Sequence, residues 1–513
     1  MLISGTNPAP LGRALVAIRN IPPLYCDHMF RYGSRTGSQV FPANPMPQRV
    51  FSTSLDLRRL APWTQLFQSF RLALRIRQLL LAAVGVTLTV VGWRLLETAL
   101  AAPVPSDTGA PILELTPWPW DRELGYGLTS ESELSGEPPI NTLWALSSGL
   151  REPQRFFGQV FGNWSVALEP VTELLTPGQK LFEPTASASE RVLALLKLGW
   201  WLMVWSLFGG AVTRSAAVEF ARDQNCHLSG AVRFAGQYYF SYLVGPVLTL
   251  LAVLGVGVLL TLAGLLSRVP LIGPVVGGLG GGLLLIVGLL LAILVMGLAV
   301  GWPLMFATVS VEGTDGFDGM SRAFNYVYER PLLYLGQIVL SMIFGSFAIF
   351  CVLFLAQLGS LLTLQGLALA APASWSESIA NSAPQLLAPP LDNTDWLPPV
   401  PSSGAEPVGT DRSASPPGWA AGTSLFSFWL HAWATLVQGF VYSFFWSSAT
   451  VIYFVLRHSV DGNELDEVFT GIHPEPDDLL PLVGAAKMGV ELSPPPDANS
   501  SLPPDNPPYA APR

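Results

Sequence analysis

Charged residues are scarce in this chain, and their scarcity excludes an ordinary soluble domain. Asp, Glu, Lys and Arg make up 12% of the 513 residues, whereas an average soluble domain contains about 25%. Half of the residues are hydrophobic. A chain of this composition has more apolar surface than a protein core can bury, so we predict an integral membrane protein.

Cysteine is rare, and the common catalytic patterns are absent. The three cysteines, Cys26, Cys226 and Cys351, lie far apart with no CxxC or Cys/His spacing, which argues against a disulfide framework and a structural zinc site. No GxxxxGK[ST], HExxH, GxSxG or SxxK pattern occurs, so a P-loop and the usual hydrolase signatures are excluded. We predict no catalytic site, no metal site, no cofactor and no nucleic-acid partner.

What the chain does contain is long apolar stretches. A bilayer core of about 30 Å needs about 20 apolar residues in a helix. We therefore predict an all-α integral membrane protein with about six transmembrane helices in three hairpins. Pro246 is expected to break the first turns of the third helix, and the glycine-rich run 270–282 to form the turn before the fourth. The predicted spans are residues 78–96, 192–213, 236–267, 283–305, 331–362 and 424–456.

Arginine is concentrated on one side of the predicted spans. It precedes span one, lies between spans two and three and between four and five, and follows span six, whereas the loops 101–190 and 364–423 are acidic. Because positive residues stay on the cytoplasmic side, we predict a multi-pass protein of the cytoplasmic (inner) membrane with both termini cytoplasmic. Lys197, inside span two, is expected to snorkel to the interface.

Two segments outside the spans have helical periodicity. Residues 62–78 predict an amphipathic helix with a basic face on the anionic cytoplasmic leaflet, or a simple extension of span one. In the first outer loop, a stripe of apolar residues favours a segment that lies on the outer membrane surface. The stripe consists of Phe157, Val160, Phe161, Trp164 and Leu168.

A short pattern recurs at the ends of the even-numbered spans. It reads AAV at 216–218 and ATV at 307–309 and 449–451, each followed by Ser-Gly or Asp-Gly. Ser229 and Asp318 are typical N-caps, and amphipathic segments follow them. We interpret the chain as three helical hairpins, each preceded by an interfacial helix; chance similarity is the alternative.

Charged residues of the arginine-rich segments are the candidate contact sites. We expect Arg222 to pair with Asp223. Arg322 is expected to pair with Asp315 and Asp318, and these ion pairs would fix the interfacial helices. The candidate contact residues are Arg214, Arg222, Asp223, Arg233, Asp315, Asp318, Arg322, Arg330, Asp461, Glu464 and Asp466.

The pattern divides the chain into five regions. In the last region, Glu464, Asp466 and Glu467 are either solvated, paired with Arg457 or bound to a cation. The regions are a disordered N-terminal tail (1–50), an interfacial helix with the first hairpin and a large outer loop (51–213), a second hairpin (214–308), a third hairpin with a Pro/Ser-rich outer loop (309–456), and an acidic, Pro-rich cytoplasmic tail (457–513).

Three segments carry a resemblance to known proteins. Residues 214–233, 307–331 and 449–468 resemble the cytoplasmic segments of an uncharacterised family of bacterial inner-membrane proteins, and the resemblance covers about residues 52–470. The order of span, short amphipathic helix with a basic residue, and span is also similar to the membrane domain of some glycerophosphodiester phosphodiesterases. Neither resemblance implies a known activity. The attached hydrolase domain is missing here, so no phosphodiesterase activity is expected.

The leading functional hypothesis is a non-enzymatic scaffold or assembly partner in contact with membrane lipid, with possible protein partners at its cytoplasmic segments. The first alternative is a transport permease subunit without its own ATPase, in which the glycine-rich start of span four lines a path. The second is a lipid-acting membrane enzyme. A coupled transporter usually needs charges inside the membrane, and here they are confined to Arg94, Glu97 and Lys197 near the span ends.

Overall fold

A computed structural model gives the helix boundaries. It describes residues 62–100, 115–121, 163–183, 185–270, 278–369, 371–384 and 419–469, with shorter stretches between them. The predictions for residues 1–50 and for most of the C-terminal tail lie outside the described residues. In chain order the helices are α1 (Gln68–Ala73), α2 (Ile76–Leu100), α3 (Glu169–Phe182), α4 (Ala188–Arg222), α5 (Leu228–Gln237), α6 (Tyr239–Leu266), α7 (Gly281–Glu312), α8 (Gly316–Glu329), α9 (Pro331–Ala368), α10 (Ala373–Asn381) and α11 (Trp419–Asp461).

Six of these helices, α2, α4, α6, α7, α9 and α11, are long and apolar enough to cross a membrane. The chain is therefore a multi-pass, all-α membrane protein, which confirms the predicted fold class. In the described part of the chain, the regular structure other than helix is one two-residue antiparallel pairing of β1 (Val104–Pro105) with β2 (Pro111–Ile112). Helices α2 and α4, α6 and α7, and α9 and α11 form the three hairpins.

The predicted span limits were close to the observed ones, with one correction. Pro246 does not break the third span, because α6 continues through it and the proline is buried. Neighbouring helices compensate for a missing backbone hydrogen bond inside a membrane bundle, so proline is tolerated there. Five of the helices are longer than predicted, since a helix continues past the hydrocarbon until a cap or turn ends it.

The short helices before the second and third hairpins begin earlier than predicted. The N-cap of α5 is His227 and that of α8 is Asp315, rather than Ser229 and Asp318. The Asp315 carboxylate accepts a hydrogen bond from the backbone N–H of Asp318 at 2.9 Å, which satisfies an otherwise unpaired donor of the first turn. Asp318 lies in that first turn, where its negative charge interacts favourably with the positive end of the helix dipole.

Residues 62–78 are neither a single amphipathic helix nor a simple extension of span one. They form a 3₁₀ helix (Pro62–Phe67), then α1, then a break before α2. Ser69 and Gln78 are fully buried, whereas Phe67 and Leu74 are exposed. The reason is tertiary: Phe67 and Phe70 pack edge-on against Phe344 of α9, so packing against the bundle decides which residues face inwards.

The apolar stripe of the first loop is partly occupied by packing onto the bundle. Val160 is buried against Phe350 of α9, and its carbonyl accepts a hydrogen bond from the Ser346 hydroxyl. Phe157 and Phe161 are exposed and stacked on each other. Their location on the membrane surface stays a prediction.

Helix α11 is the centre of the bundle and packs against α2, α4, α7 and α9. All of its most apolar stretch is buried, whereas almost none of that of α7, the most apolar of the six helices, is buried. Lipid is as apolar as a leucine side chain, so a helix surrounded by lipid needs no polar atoms. The central helix instead carries Gln438, Ser443 and Ser447, which bond to neighbouring helices.

Candidate functional site

The predicted contact residues meet at one end of the bundle, where α2 begins and α4, α7 and α11 end. We call it the arginine-rich end. One ion-pair cluster there joins α2 to α4. The buried Glu219 carboxylate lies 3.3 Å from Arg75 Nε and 3.5 Å from an Arg77 terminal nitrogen. Arg71 pairs with Asp223 at 3.1 Å on the surface. Glu219 is therefore the buried group that ties the first hairpin together.

A second cluster surrounds Glu312 at the end of α7. Its carboxylate pairs with Arg322 of α8 and, at 3.5 Å, with Arg457 of α11. It also accepts a hydrogen bond from the Tyr453 hydroxyl. Arg457 also forms an ion pair with Glu467 at 3.1 Å. One acidic side chain thus connects three helices and the segment after α11.

Arg322 keeps its charge in this cluster although it is partly buried. Burial alone would lower its pKa, but the hydrogen bond to Asp318 and the negative charge of Glu312 raise the pKa above the ordinary arginine value. The Asp318 contact measures 3.0 Å. Arg322 therefore stays protonated throughout the physiological pH range.

Arg214 is a structural residue rather than the surface contact that we predicted. Its side chain is buried, donates to the Ser310 carbonyl at 2.7 Å and to the Phe469 carbonyl at 2.6 Å, and stacks 4.0 Å above the Phe234 ring. Phe469 in turn donates its N–H to the Val311 carbonyl. Arginine offers five donors in a planar fork, which explains why it can hold α4, α7 and the segment 462–469 together.

The structure corrects two predicted ion pairs, Arg222 with Asp223 and Arg322 with Asp315, and confirms a third. Asp223 pairs with Arg71, not with the adjacent Arg222, because neighbouring residues at a helix end point in different directions. The pairing of Arg322 with Asp318 is confirmed, whereas Asp315 caps α8. Among the described residues, no group of three or more possible ligands could hold a metal ion.

Most other predicted contact residues are on the surface of the arginine-rich end. Arg222, Glu464 and Asp466 line an open cavity of about 480 Å³. The exposed ones are Arg222, Asp223, Arg233, Asp315, Arg330, Asp461, Glu464 and Asp466. The end therefore combines an ion-paired interior with exposed charges of both signs.

The opposite end contains a charge cluster that we did not predict. The Glu97 carboxylate of α2 is buried, pairs with Lys197 of α4, and accepts from the Thr116 N–H and hydroxyl at 2.8 and 2.6 Å. The Lys197 ammonium group thus has a carboxylate partner, and its position at the membrane interface stays a prediction. The available signal was the pair of opposite charges near the same ends of adjacent spans.

This cluster fixes residues 116–121 of the first loop over the bundle. Arg94 donates to the Thr116 carbonyl at 2.8 Å and lies 4.4 Å above the Trp118 ring. Trp118 stacks on Trp120, whose edge contacts His431 of α11. His431 is thus part of an aromatic contact.

A polar cavity of about 700 Å³ lies beside the cluster, between α3 and α4. Its walls include Thr116, Glu173, Lys180, Glu190 and Lys197. The carboxylate of Glu173 accepts a hydrogen bond from Trp201 Nε1 at 3.3 Å. The cavity therefore brings charged residues of α3 and α4 together.

Aromatic side chains fill the space between the two ends. Trp302 contacts the rings of Trp201, Phe445 and Trp446 at 5.2–5.4 Å. Trp205 stacks on Tyr442 at 4.9 Å. These side chains are almost fully buried, so large rings close the middle of the bundle between the polar cavity and the ion pairs of the arginine-rich end.

No family model, curated protein or solved structure matches the chain.

Proposed function

We propose that the protein is a non-enzymatic membrane scaffold that binds a partner protein at the arginine-rich end, on the cytoplasmic side of the cytoplasmic membrane. The observation that supports this proposal is the ion-pair network around Glu219, Glu312 and Arg214, which holds the ends of four spans and the segment 462–469 in one arrangement. Exposed charges on such a frame lose little conformational freedom when a partner binds, and this favours affinity.

The surface chemistry favours a basic partner segment. Glu464 and Asp466 are exposed beside the open cavity, and neither has a role in the ion pairs that hold the frame. Complementary charge increases the rate of encounter and fixes the register of a complex. A partner that presents Lys or Arg side chains would therefore recognise this face without disturbing the network below it.

The test is the double charge reversal Glu464→Lys/Asp466→Lys. In mild detergent, we expect one protein to co-purify stoichiometrically with the native chain. With the variant, the amount of that partner per chain should fall by about tenfold or more, since a loss of about 1.4 kcal/mol in binding free energy suffices for that. Quantitative mass spectrometry of the purified material measures the ratio. Cross-links from the partner should map to residues 461–468 in the native complex.

The matched control is Thr172→Lys/Gln179→Lys, which adds two lysines to exposed positions of α3 at the opposite end. It should leave the partner bound. Retention of the same partner by the Glu464→Lys/Asp466→Lys variant would refute the proposed face. A native protein that purifies alone would refute the scaffold function.

The proposed orientation has its own test. Asn325→Cys in α8 and Gln179→Cys in α3 are exposed positions at opposite ends. Burial raises the pKa of the Cys226 thiol. In both variants all native cysteines are replaced by serine, so that only the introduced cysteine can be labelled. We expect a membrane-impermeant maleimide to label Gln179→Cys in intact cells and Asn325→Cys only in inverted vesicles. Labelling of both positions from one side would contradict six alternating spans.

A transport permease subunit is the second candidate, and the polar cavity beside Lys197 favours it. The path would differ from the one predicted at the glycine-rich start of span four, because α2, α3 and α4 line the cavity. The aromatic side chains around Trp302 would have to move before a polar substrate could pass. We therefore rank this function below the scaffold.

A further inference from the structure

A small apolar cavity lies half-way along the bundle, between α7, α9 and α11. Its volume is about 160 Å³, and its walls include Val300, Leu304, Ile338, Phe445 and Ile452. An apolar cavity of about 150 Å³ is large enough for a benzene-sized group. Ser448 and Pro303 each lie about 14 Å from the charged residue at the end of their helix, at about 1.5 Å per residue. The cavity is thus near the middle of a bilayer core of about 30 Å.

Ser448 lies in the wall of this cavity, and its hydroxyl oxygen is buried. The side chain is 2% exposed, lines the cavity, and has no hydrogen-bond partner among the described residues. Two residues further on, Thr450 donates to the Trp446 carbonyl at 2.8 Å, and Ser447 donates to Gln78. Leaving a buried hydroxyl group unpaired is unfavourable, so its position calls for an external partner.

The backbone carbonyl of Ala299 also lacks its usual hydrogen-bond donor within the helix. Proline has no N–H, so Pro303 removes the helical hydrogen bond to the Ala299 carbonyl four residues earlier. Ala299 and Pro303 both line the cavity. The neighbouring Val300 carbonyl, in contrast, gains a second donor from the Tyr334 hydroxyl at 2.5 Å. The cavity therefore combines mostly apolar walls with the hydroxyl-bearing residues Tyr334, Ser341 and Ser448 and with one backbone acceptor that the helix leaves open.

The cavity can be reached from the surrounding lipid. Ala299, Ile338 and Met342 are half-exposed on the outside of the bundle and also line the cavity. A charged head group is costly at this depth. A plain hydrocarbon chain would fill the space but leave Ser448 and the Ala299 carbonyl unpaired.

We propose that this cavity binds the hydroxyl end of a neutral membrane lipid alcohol. The ligand hydroxyl accepts a hydrogen bond from Ser448 and donates one to the Ala299 carbonyl, while its apolar body leaves between α7 and α9. Hydroxyl groups suit the site because they donate and accept at the same atom. The proposal is independent of the scaffold function.

The test uses hexadecanol that carries a photoreactive diazirine in its chain, with the purified protein in phosphatidylcholine vesicles. We expect labelled peptides from α7, α9 and α11. Unlabelled hexadecanol should compete at least about tenfold better than hexadecane, which corresponds to about 1.4 kcal/mol. In the Ser448→Ala variant the ratio of competition by hexadecanol to competition by hexadecane should fall to nearly one. Labelling itself should persist, because the hydrocarbon chain of the probe still fits the cavity.

Ser448→Ala is expected to fold, since it removes only an unpaired oxygen. Ser424→Ala, near the start of the same helix, is the matched control and should keep the preference for the alcohol. The filling variant Ala449→Leu should abolish labelling. Equal competition by hexadecane and hexadecanol in the native protein, an unchanged preference in Ser448→Ala, or the absence of label in these three helices would each overturn the proposal.

Discussion

Glu312→Gln is expected to lower the free energy of unfolding by about 3 kcal/mol, the lower end of the range for removing one partner of a buried ion pair. Among the described residues, Glu312 is the only carboxylate that pairs with both Arg322 and Arg457. The Arg457 side chain is 9% exposed, so water from the open cavity that it borders replaces only part of the lost charge. Glu467 and Asp318 still compensate part of the loss, which keeps the effect from being larger.

Reversible unfolding in mixed micelles, or steric trapping in a bilayer, measures this difference. Glu329→Gln is the matched control, because Glu329 is exposed on α8 and, in the described part of the chain, accepts only from Asn325. An exposed contact of that kind contributes less than about 1 kcal/mol. If the two variants lose equal stability, Glu312 is not the group that connects α7, α8 and α11.

Gly439→Ala should destabilise the bundle by about 1–3 kcal/mol, and Gly439→Val by more, through overpacking. A Cβ atom at Gly439 in α11 would lie 2.9 Å from the Ala83 backbone nitrogen and 3.0 Å from the Leu79 carbonyl oxygen of α2. Backbone atoms cannot rotate away as a side chain does. Helices α2 and α11 would have to separate, and the contact between the first and last spans would loosen.

The control for this substitution is Gly199→Ala in α4, where nothing lies within 4 Å of the added Cβ. Alanine is more favourable than glycine inside a helix by about 1 kcal/mol, so Gly199→Ala should be neutral or stabilising. The same unfolding assay serves both variants. A neutral Gly439→Ala would show that α2 and α11 do not approach as closely as described.

Hydropathy could have identified the central helix before the structure did. Among the six spans, α11 is the least apolar and the most buried, and α7 is the most apolar and the least buried. Polar residues such as Gln438 and Ser447 are costly against lipid and favourable only where a neighbouring helix bonds to them. The polarity of a span therefore indicates its depth in the bundle, a signal that span prediction by length alone does not use.

The sequence by itself determined the class, the six spans, and the clustering of arginine between them. These properties are local, because twenty consecutive apolar residues require hydrocarbon whatever surrounds them. Only the tertiary structure decided the partners: Glu97 with Lys197, Asp223 with Arg71, and the burial of Arg214 by Ser310 and Phe469. Each of these contacts joins residues about a hundred or more positions apart, and their approach depends on how the helices pack rather than on any pattern along the chain.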